Sequence, residues 1–212
     1  WKFTCGLDLI RSPCVVYSLG SCGNMAFEVE VLNRLPHCTI HIFDKDNFGV
    51  EKWFPDAQKR ARVVFHRAYI AARDDLSKDP PRRALPSIMA ELGHRHIDVF
   101  KADIEGNEFG MLDVGSLPSI GQLLLEVHAS AHISERFTNG PGLDVQKPAN
   151  GTHYVKLVKN IERSNLRLFH KEPNIMNMDC IELSFIQRRW HPATKDYPKH
   201  YPKRAALPPT RG

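Results

Sequence analysis

The stretch Pro13-Cys14-Val15-Val16-Tyr17-Ser18-Leu19-Gly20-Ser21-Cys22-Gly23-Asn24, residues 13–24, decides the fold class of this 212-residue chain. Cys14 to Tyr17 are four consecutive β-prone residues and predict a strand. Gly20 and Gly23 can adopt positive φ or let another molecule approach bare backbone. The residues that follow recur at helical spacing: Met25, Ala26, Val29 and Leu32. A strand, a glycine turn and a helix N-terminus in this order predict a nucleotide-binding turn, although the same pattern also occurs as plain loop chemistry.

Composition predicts one folded domain. The hydrophobic fraction is 42% and the charged fraction 25%, both ordinary for a globular protein, and no apolar run approaches the length of a membrane span. The chain begins with Trp1, which suggests an excised fragment and leaves the compartment open. No C-x-x-C occurs among the five cysteines, so metal binding by cysteine is not expected. Cys14, Cys38 and Cys180 lie in apolar segments and are expected to be small buried hydrophobes.

The net charge of +5 is concentrated at the C-terminal end. Residues 188–212 hold seven lysines and arginines against one acid, together with five prolines, whereas residues 1–187 hold 22 basic residues against 23 acids. We therefore expect a nearly neutral domain over residues 1–187 and a basic, proline-rich tail over 188–212. The tail is either a solubilising terminus or a weak electrostatic contact for nucleic acid or an anionic membrane.

Asp44 directly follows the second predicted strand, Thr39 to Phe43, and lies 24 residues after Gly20. An acid at this position in nucleotide-binding α/β folds accepts hydrogen bonds from ribose hydroxyls. The alternative is a turn-forming or helix-capping aspartate. The pairing with the glycine turn favours a binding role.

Ionisable residues also follow the fourth and fifth predicted strands. Asp103, Glu105 and Glu108 surround Gly106 after the strand Ile97 to Ala102. Carboxylates this close raise one another's pKa, which suits a general base or a divalent cation, and the alternative is a solvated loop at a helix start.

Glu126 and His128 alternate with apolar residues along the fifth predicted strand, Gln122 to His128. They should therefore share one face, near the same rim as Asp103 and Glu105 if the two strands are adjacent. A structural histidine remains an alternative for His128.

Two further features lie in the last third of the chain. Asn150-Gly151-Thr152 is an N-glycosylation acceptor triplet, which matters only if the protein is secreted. Leu166 to His170 and Cys180 to Ile186 are predicted strands separated by only nine residues, too few for a crossover helix, so they should form an antiparallel hairpin. The predicted fold is α/β, a Rossmann-like doubly wound, mostly parallel sheet closed by an antiparallel C-terminal hairpin, as in class I methyltransferases.

The residues resemble a known family. Val15 to Glu28 (VVYSLGSCGNMAFE), His41 to Asp44 (HIFD), Ile97 to Leu112 (IDVFKADIEGNEFGML) and Leu124 to His128 (LLEVH) are similar to FkbM-type and methyltransferase-like domain proteins. The resemblance covers roughly residues 5 to 187.

The resemblance implies an enzyme that binds S-adenosylmethionine. It implies cofactor contacts by Gly20, Ser21 and Gly23, by Asp44, and by the backbone around Arg67 and Ala68. Ser18 departs from the pattern, because many methyltransferases carry an acid at that position.

The expected activity is methyl transfer from S-adenosylmethionine to an oxygen or nitrogen of a small-molecule, glycan or macromolecular acceptor. Asp103, Glu105 and His128 are the candidate proton acceptors, with Glu126 orienting them. A metal clamp by Asp103, Glu105 and Glu126 is a minor alternative, and no residue is assigned to a resident metal. A non-catalytic Rossmann-like binding module and an NAD-dependent oxidoreductase are the alternative functions.

Overall fold

The computed structural model describes residues 2–112, 117–129, 149–175 and 179–188. The strands are β1 Cys14–Leu19, β2 Cys38–Asp44, β3 Val63–Arg67, β4 Tyr69–Ala71, β5 Arg82–Ala84, β6 Ile97–Asp103, β7 Ile120–His128, β8 Leu166–Pro173 and β9 Cys180–Gln187. The α-helices are α1 Ala26–Arg34, α2 Val50–Trp53, α3 Ala57–Arg60, α4 Leu85–Glu91, α5 Glu108–Met111 and α6 Gly151–Arg163, and a 3-10 turn spans Leu7–Leu9.

Seven strands form one sheet in the order β3-β2-β1-β6-β7-β9-β8. The first five in this order run parallel, whereas β9 pairs antiparallel with both β7 and β8. The register places Asp103 beside Glu126 and Glu126 beside Glu182, so three acids lie in a row across β6, β7 and β9. The predicted mostly parallel sheet with an antiparallel C-terminal hairpin is confirmed.

Apolar side chains cover both faces of the sheet. On one face Val16 packs in a cluster with Val31 and Leu32 of α1, and on the other Tyr17 packs with Ile88 and Met89 of α4. Neighbouring residues of β1 thus enter opposite layers, as the alternation of strand side chains requires. The fold is doubly wound, as predicted, and the free carboxyl ends of the parallel strands form one rim.

A small second sheet was not predicted. The strands β4 and β5 pair in parallel, although the consecutive prolines Pro80 and Pro81 directly precede β5. This pair holds Tyr69 and Arg82 beside the rim, and both line the cavity described below.

Cys14 and Cys38 form a disulfide between β1 and β2. Both residues are buried as expected, at 3% and 0% exposure, but they are not the separate small hydrophobes that the sequence suggested. Position in the register explains the difference, because the two residues are directly opposed across the parallel pair. Cys5, Cys22 and Cys180 are free thiols.

No helix among the described residues is long and apolar enough to cross a membrane. The basic tail predicted for 188–212 lies outside the described residues except for Arg188, so the division at 187 stays a prediction.

Candidate functional site

The glycine turn between β1 and α1 is set by close contact with β6. Gly20 has φ +70°, and a Cβ at this position would lie 1.8 Å from the carbonyl oxygen of Asp103. Lys101 reinforces the contact, since its Nζ donates to the Gly20 carbonyl at 2.9 Å. The positive φ expected for Gly20 is present, and the backbone of β6 occupies the space that a side chain here would need.

Asp44 holds the same turn from the other side. Its Oδ2 accepts hydrogen bonds from the backbone N–H of Ser21 at 2.8 Å and of Cys22 at 2.9 Å, and from the Ser21 hydroxyl at 3.1 Å. Its Oδ1 accepts from the backbone N–H of Lys45 at 2.7 Å. The binding and turn-forming interpretations of Asp44 are thus compatible, because one carboxylate fixes the turn and also lines the cavity next to it.

Ser18, the departure from the family pattern, has a carboxylate partner supplied by α1. The Ser18 hydroxyl donates to Glu28, whose side chain is fully buried, and Lys101 Nζ lies 3.9 Å from the same Glu28 oxygen. A carboxyl group is thereby present behind the turn although residue 18 carries none. Sequence reasoning missed Glu28, but its spacing from Met25 and Leu32 places an acid on the apolar face of α1, and that signal was available.

The predicted acids and histidine meet at the ends of β6 and β7. His128 Nε2 lies 3.4 Å from Glu105 Oε2, 3.8 Å from Asp103 Oδ1 and 4.0 Å from Glu126 Oε1. Glu105 adopts φ +54°, so the backbone does not stay extended after Asp103. That turn still leaves both carboxylates facing the imidazole, and the four residues form one cluster.

Glu108 organises this cluster and was not selected as a site residue. Its fully buried carboxylate accepts from the backbone N–H of Ile104 at 2.8 Å and of Gly106 at 2.9 Å. It also lies 3.3 Å from His128 Nδ1. One side chain therefore fixes both the loop that carries Glu105 and the ring that faces it.

Lys2 enters the cluster from the N-terminal segment that precedes β1. Its Nζ lies 2.6 Å from Glu182, 3.1 Å from Glu126 and 3.7 Å from Asp103. Glu182 was also missed, because only the β7–β9 register brings it beside Glu126. Nothing local in the sequence marks either residue.

These contacts separate the pKa values of the cluster. Burial lowers the pKa of His128, but the hydrogen bond and charge of Glu108, with Glu105 and Asp103, outweigh it and raise the pKa to about 9. His128 is therefore a cation at neutral pH. Burial raises the pKa of Glu105 and of Asp103, against the opposing charges of His128 and of Lys2 respectively.

The pKa values of Glu126 and Glu182 shift in opposite directions. Burial disfavours the anion of Glu126, but Lys2 and a hydrogen bond from Asn174 lower its pKa to about 2. Burial raises the pKa of Glu182 to about 7 against the opposing charge of Lys2, and the charge of Glu126 adds a smaller increase. Glu126 is thus a fixed anion, whereas Glu105 and Asp103 retain their protons to higher pH than ordinary carboxyls.

A cavity of about 480 Å³ lies beside the glycine turn and the acid cluster. Its lining includes Gly20, Ser21 and Asp44 together with Asp103 and Glu105. The lining residues that sequence analysis had selected are Gly20, Ser21, Asp44, Ala68, Asp103 and Glu105. Gly23 is not among them, and a Cβ there would lie 3.4 Å from Phe48. His128 and Glu126 are not among the lining residues either, but His128 contacts Asp103 and Glu105, and Glu126 is the register partner of Asp103.

The cluster also contains a donor set for a metal. One ligand atom each from Asp103, Glu105 and His128 lies within 4.8 Å of the others. Two carboxylates and an imidazole suit a divalent cation, but a protonated imidazole has no lone pair to offer. Metal binding here would require His128 to lose its proton.

Comparisons with known proteins identify the family of the chain. A family model described as "Methyltransferase domain" matches residues 2–187. The chain is 30% identical to a protein of Rattus norvegicus named "Probable methyltransferase-like protein 24" and 28% identical to the Homo sapiens protein of the same name, each over 214 aligned residues that cover 89% of this chain. The chain spans about half the length of these curated relatives, 54% in each case.

One solved structure with a similar fold is fibrillarin of Methanococcus jannaschii, a pre-rRNA processing protein. It superposes with a TM-score of 0.53 at 11% identity, covering 89% of this chain and 71% of that one. Identity this low shows a common fold and nothing more. The FkbM-type part of the resemblance stays a prediction, since the matching model is that of the broader domain.

Proposed function

This chain belongs to the methyltransferase-domain family, its cofactor is S-adenosylmethionine, and we propose that it transfers the methyl group to an oxygen or nitrogen nucleophile held beside Glu105. One observation carries the proposal. One cavity is lined by residues of the glycine turn, by Asp44, and by Asp103 and Glu105. Four of the five residues expected to bind the cofactor and two of the four expected to do chemistry thus open onto the same space.

The volume and the lining of the cavity suit S-adenosylmethionine. Its volume falls in the range of about 300–1,000 Å³ that is usual for small-molecule sites. The carboxylate of Asp44 lines the cavity, and so do the apolar residues Leu19, Phe43 and Ile70. Residues of this chemistry suit a nucleoside, with the carboxylate accepting from ribose hydroxyls and the apolar walls packing on a purine.

The sulfonium of S-adenosylmethionine makes its methyl group electrophilic, so the protein must chiefly align the acceptor and remove its proton where the acceptor pKa requires it. We assign the proton-accepting role to Glu105. It lines the cavity, its side chain is 30% exposed, and its raised pKa makes it a stronger base than an ordinary glutamate.

His128, also a candidate base, has a different role in this proposal. Because it is a cation at neutral pH, it cannot accept a proton, but its charge 3.4 Å away favours the anion of Glu105. Glu108 keeps the imidazolium in place. Asp103 adds negative charge and contacts Lys2, and Glu126 anchors Lys2 and Asn174.

The carboxyls that line the cavity favour certain acceptors. Asp103 and Glu105 both belong to the lining. A phosphate group beside them would meet like charge wherever either carboxyl is ionised. We therefore expect an alcohol or amine of a small molecule, glycan or protein as the acceptor rather than a nucleic acid.

Transfer of a labelled methyl group from S-adenosylmethionine to pooled metabolites, glycans, proteins and RNA tests the proposal. We expect label in an alcohol or amine fraction that disappears with Glu105→Gln. If the protein binds S-adenosylmethionine and labels nothing, it is the non-catalytic module. The NAD-dependent alternative has no support from the family match. Adding EDTA and then Mg²⁺ tests the metal: activity lost and restored would make Asp103 and Glu105 ligands rather than bases.

A further inference from the structure

The triplet Asn150-Gly151-Thr152 plays no part in the proposed methyl transfer. It is the one N-x-Ser/Thr triplet without proline at its centre in the chain. None of its three residues lines the cofactor cavity. We propose that Asn150 carries an N-linked glycan and that this domain folds in an oxidising, luminal or extracellular compartment.

The disulfide is the first observation that supports this assignment. Cys14 and Cys38 are joined across β1 and β2 in the interior of the domain, where both are buried. Disulfides of this structural kind form and persist in secretory and extracellular compartments and are rare in the cytosol, where thiols are kept reduced. N-glycosylation belongs to the same compartments. A property of the core and a motif on the surface thus indicate the same environment.

Placement of the triplet is the second observation. Asn150, Gly151 and Thr152 are all exposed at the beginning of α6. A Cβ added at Gly151 would meet no atom of the described residues within 4 Å, so none of these residues crowds the centre of the triplet. A bulky sugar needs such a surface.

The hydrogen bonds of Asn150 are compatible with modification. Its side-chain Oδ1 accepts from the backbone N–H of Thr152 at 3.0 Å and of His153 at 3.3 Å, which caps the helix. A glycan is attached to the other branch of the amide, the nitrogen Nδ2. The oxygen can therefore keep its cap contacts after modification.

The same geometry supplies matched variants. Thr152 contributes its backbone N–H to the cap, so Thr152→Ala removes the acceptor motif and leaves the cap, whereas Thr152→Ser keeps the motif. Asn150→Asp removes the glycan-bearing nitrogen and keeps a good N-cap residue. All three should fold, which a melting curve and unchanged affinity for S-adenosylhomocysteine would verify.

The test uses the full-length natural protein that contains this chain, expressed in cultured eukaryotic cells. We expect a mass decrease on treatment with peptide N-glycosidase, with Asn150 converted to Asp in the released peptide. The decrease should be absent from Thr152→Ala and Asn150→Asp and retained in Thr152→Ser. When the protein is denatured and alkylated, Cys14 and Cys38 should react only after reduction.

Two results would each overturn the proposal. One is a folded protein whose Asn150 peptide is unmodified while Cys14 and Cys38 are oxidised. The other is a protein that stays in the cytosol with both thiols free to alkylate.

Discussion

The Asp44 carboxylate accepts a hydrogen bond from the backbone N–H of Ser21 at 2.8 Å, so the end of β2 fixes the turn that follows β1. The two strands are neighbours in the sheet, which brings residues 23 positions apart into one contact. A cofactor that uses Asp44 therefore binds a group already engaged in holding the turn.

Asp44→Ala should weaken binding of S-adenosylhomocysteine at least tenfold, or about 1.4 kcal/mol. The substitution removes a charged acceptor from the cavity wall and also releases the N–H groups of Ser21 and Cys22. The companion variant Asp44→Asn keeps a side-chain oxygen for the turn and should bind with intermediate affinity. Calorimetry measures both, and wild-type affinity in a folded Asp44→Ala protein would remove Asp44 from the site.

Gly20→Ala should destabilise the whole domain rather than cofactor binding alone, because the new Cβ would meet the Asp103 carbonyl. Gly93→Ala is the matched control, since Gly93 has the same φ of +70° and no atom of the described part of the chain lies within 4 Å of its Cβ position. The control should lose about 1–2 kcal/mol for the left-handed backbone. Gly20→Ala should lose a further ~3 kcal/mol or fail to fold. Denaturant unfolding compares them, and equal losses would show that β6 yields to the side chain.

Glu105→Gln should lower turnover at least a hundredfold and change cofactor affinity less than about tenfold. In the wild type the rate should rise with pH through the Glu105 pKa, which burial raises above its ordinary value, because only the anion accepts a proton. The acidic limb of the pH–rate profile should vanish in the variant's residual activity. Wild-type turnover by Glu105→Gln with an accepted substrate would transfer the assignment to Asp103.

A buried histidine should make folding stability depend on pH. Burial, with the nearby His66 and His94, lowers the pKa of His41 to about 4, whereas the unfolded chain titrates near 6.5. Between these values the unfolded state binds more protons, so stability is fully present above pH 6.5 and falls as the pH drops toward 4. The loss from this group is at most about 1.4 kcal/mol for each pH unit.

His41→Phe keeps a ring beside Tyr17 and removes this titration, so its stability should fall less steeply over the same interval. Urea unfolding at several pH values between about 4 and 7 gives both slopes. Equal slopes for the two proteins would mean that His41 accepts its proton as readily when folded as when unfolded.

Patterns local in the sequence predicted much of this molecule. The spacing of apolar residues and the short gap between β8 and β9 predicted the sheet and its antiparallel ending. The positions of acids at strand ends predicted Asp44, Asp103 and Glu105 as site residues. Lys2 and Glu182 could not be found in this way, because their roles depend on which strands lie side by side and in which register. The same is true of the Cys14–Cys38 pairing, which requires direct opposition across two parallel strands.

The role of Gly20 shows a different limit. Sequence alone indicates that a glycine is needed at a turn but not which neighbour excludes a side chain, and here it is the main chain of β6. Protonation was also beyond sequence analysis, since the charge of His128 is set by Glu108, Glu105 and Asp103 together.

Calorimetric titration of the purified domain with S-adenosylhomocysteine, and separately with NAD, tests the central claim most directly. The account predicts micromolar binding of S-adenosylhomocysteine, weakened by Asp44→Ala, and no binding of NAD. A folded protein that binds no S-adenosylhomocysteine, or that binds NAD instead, would contradict it.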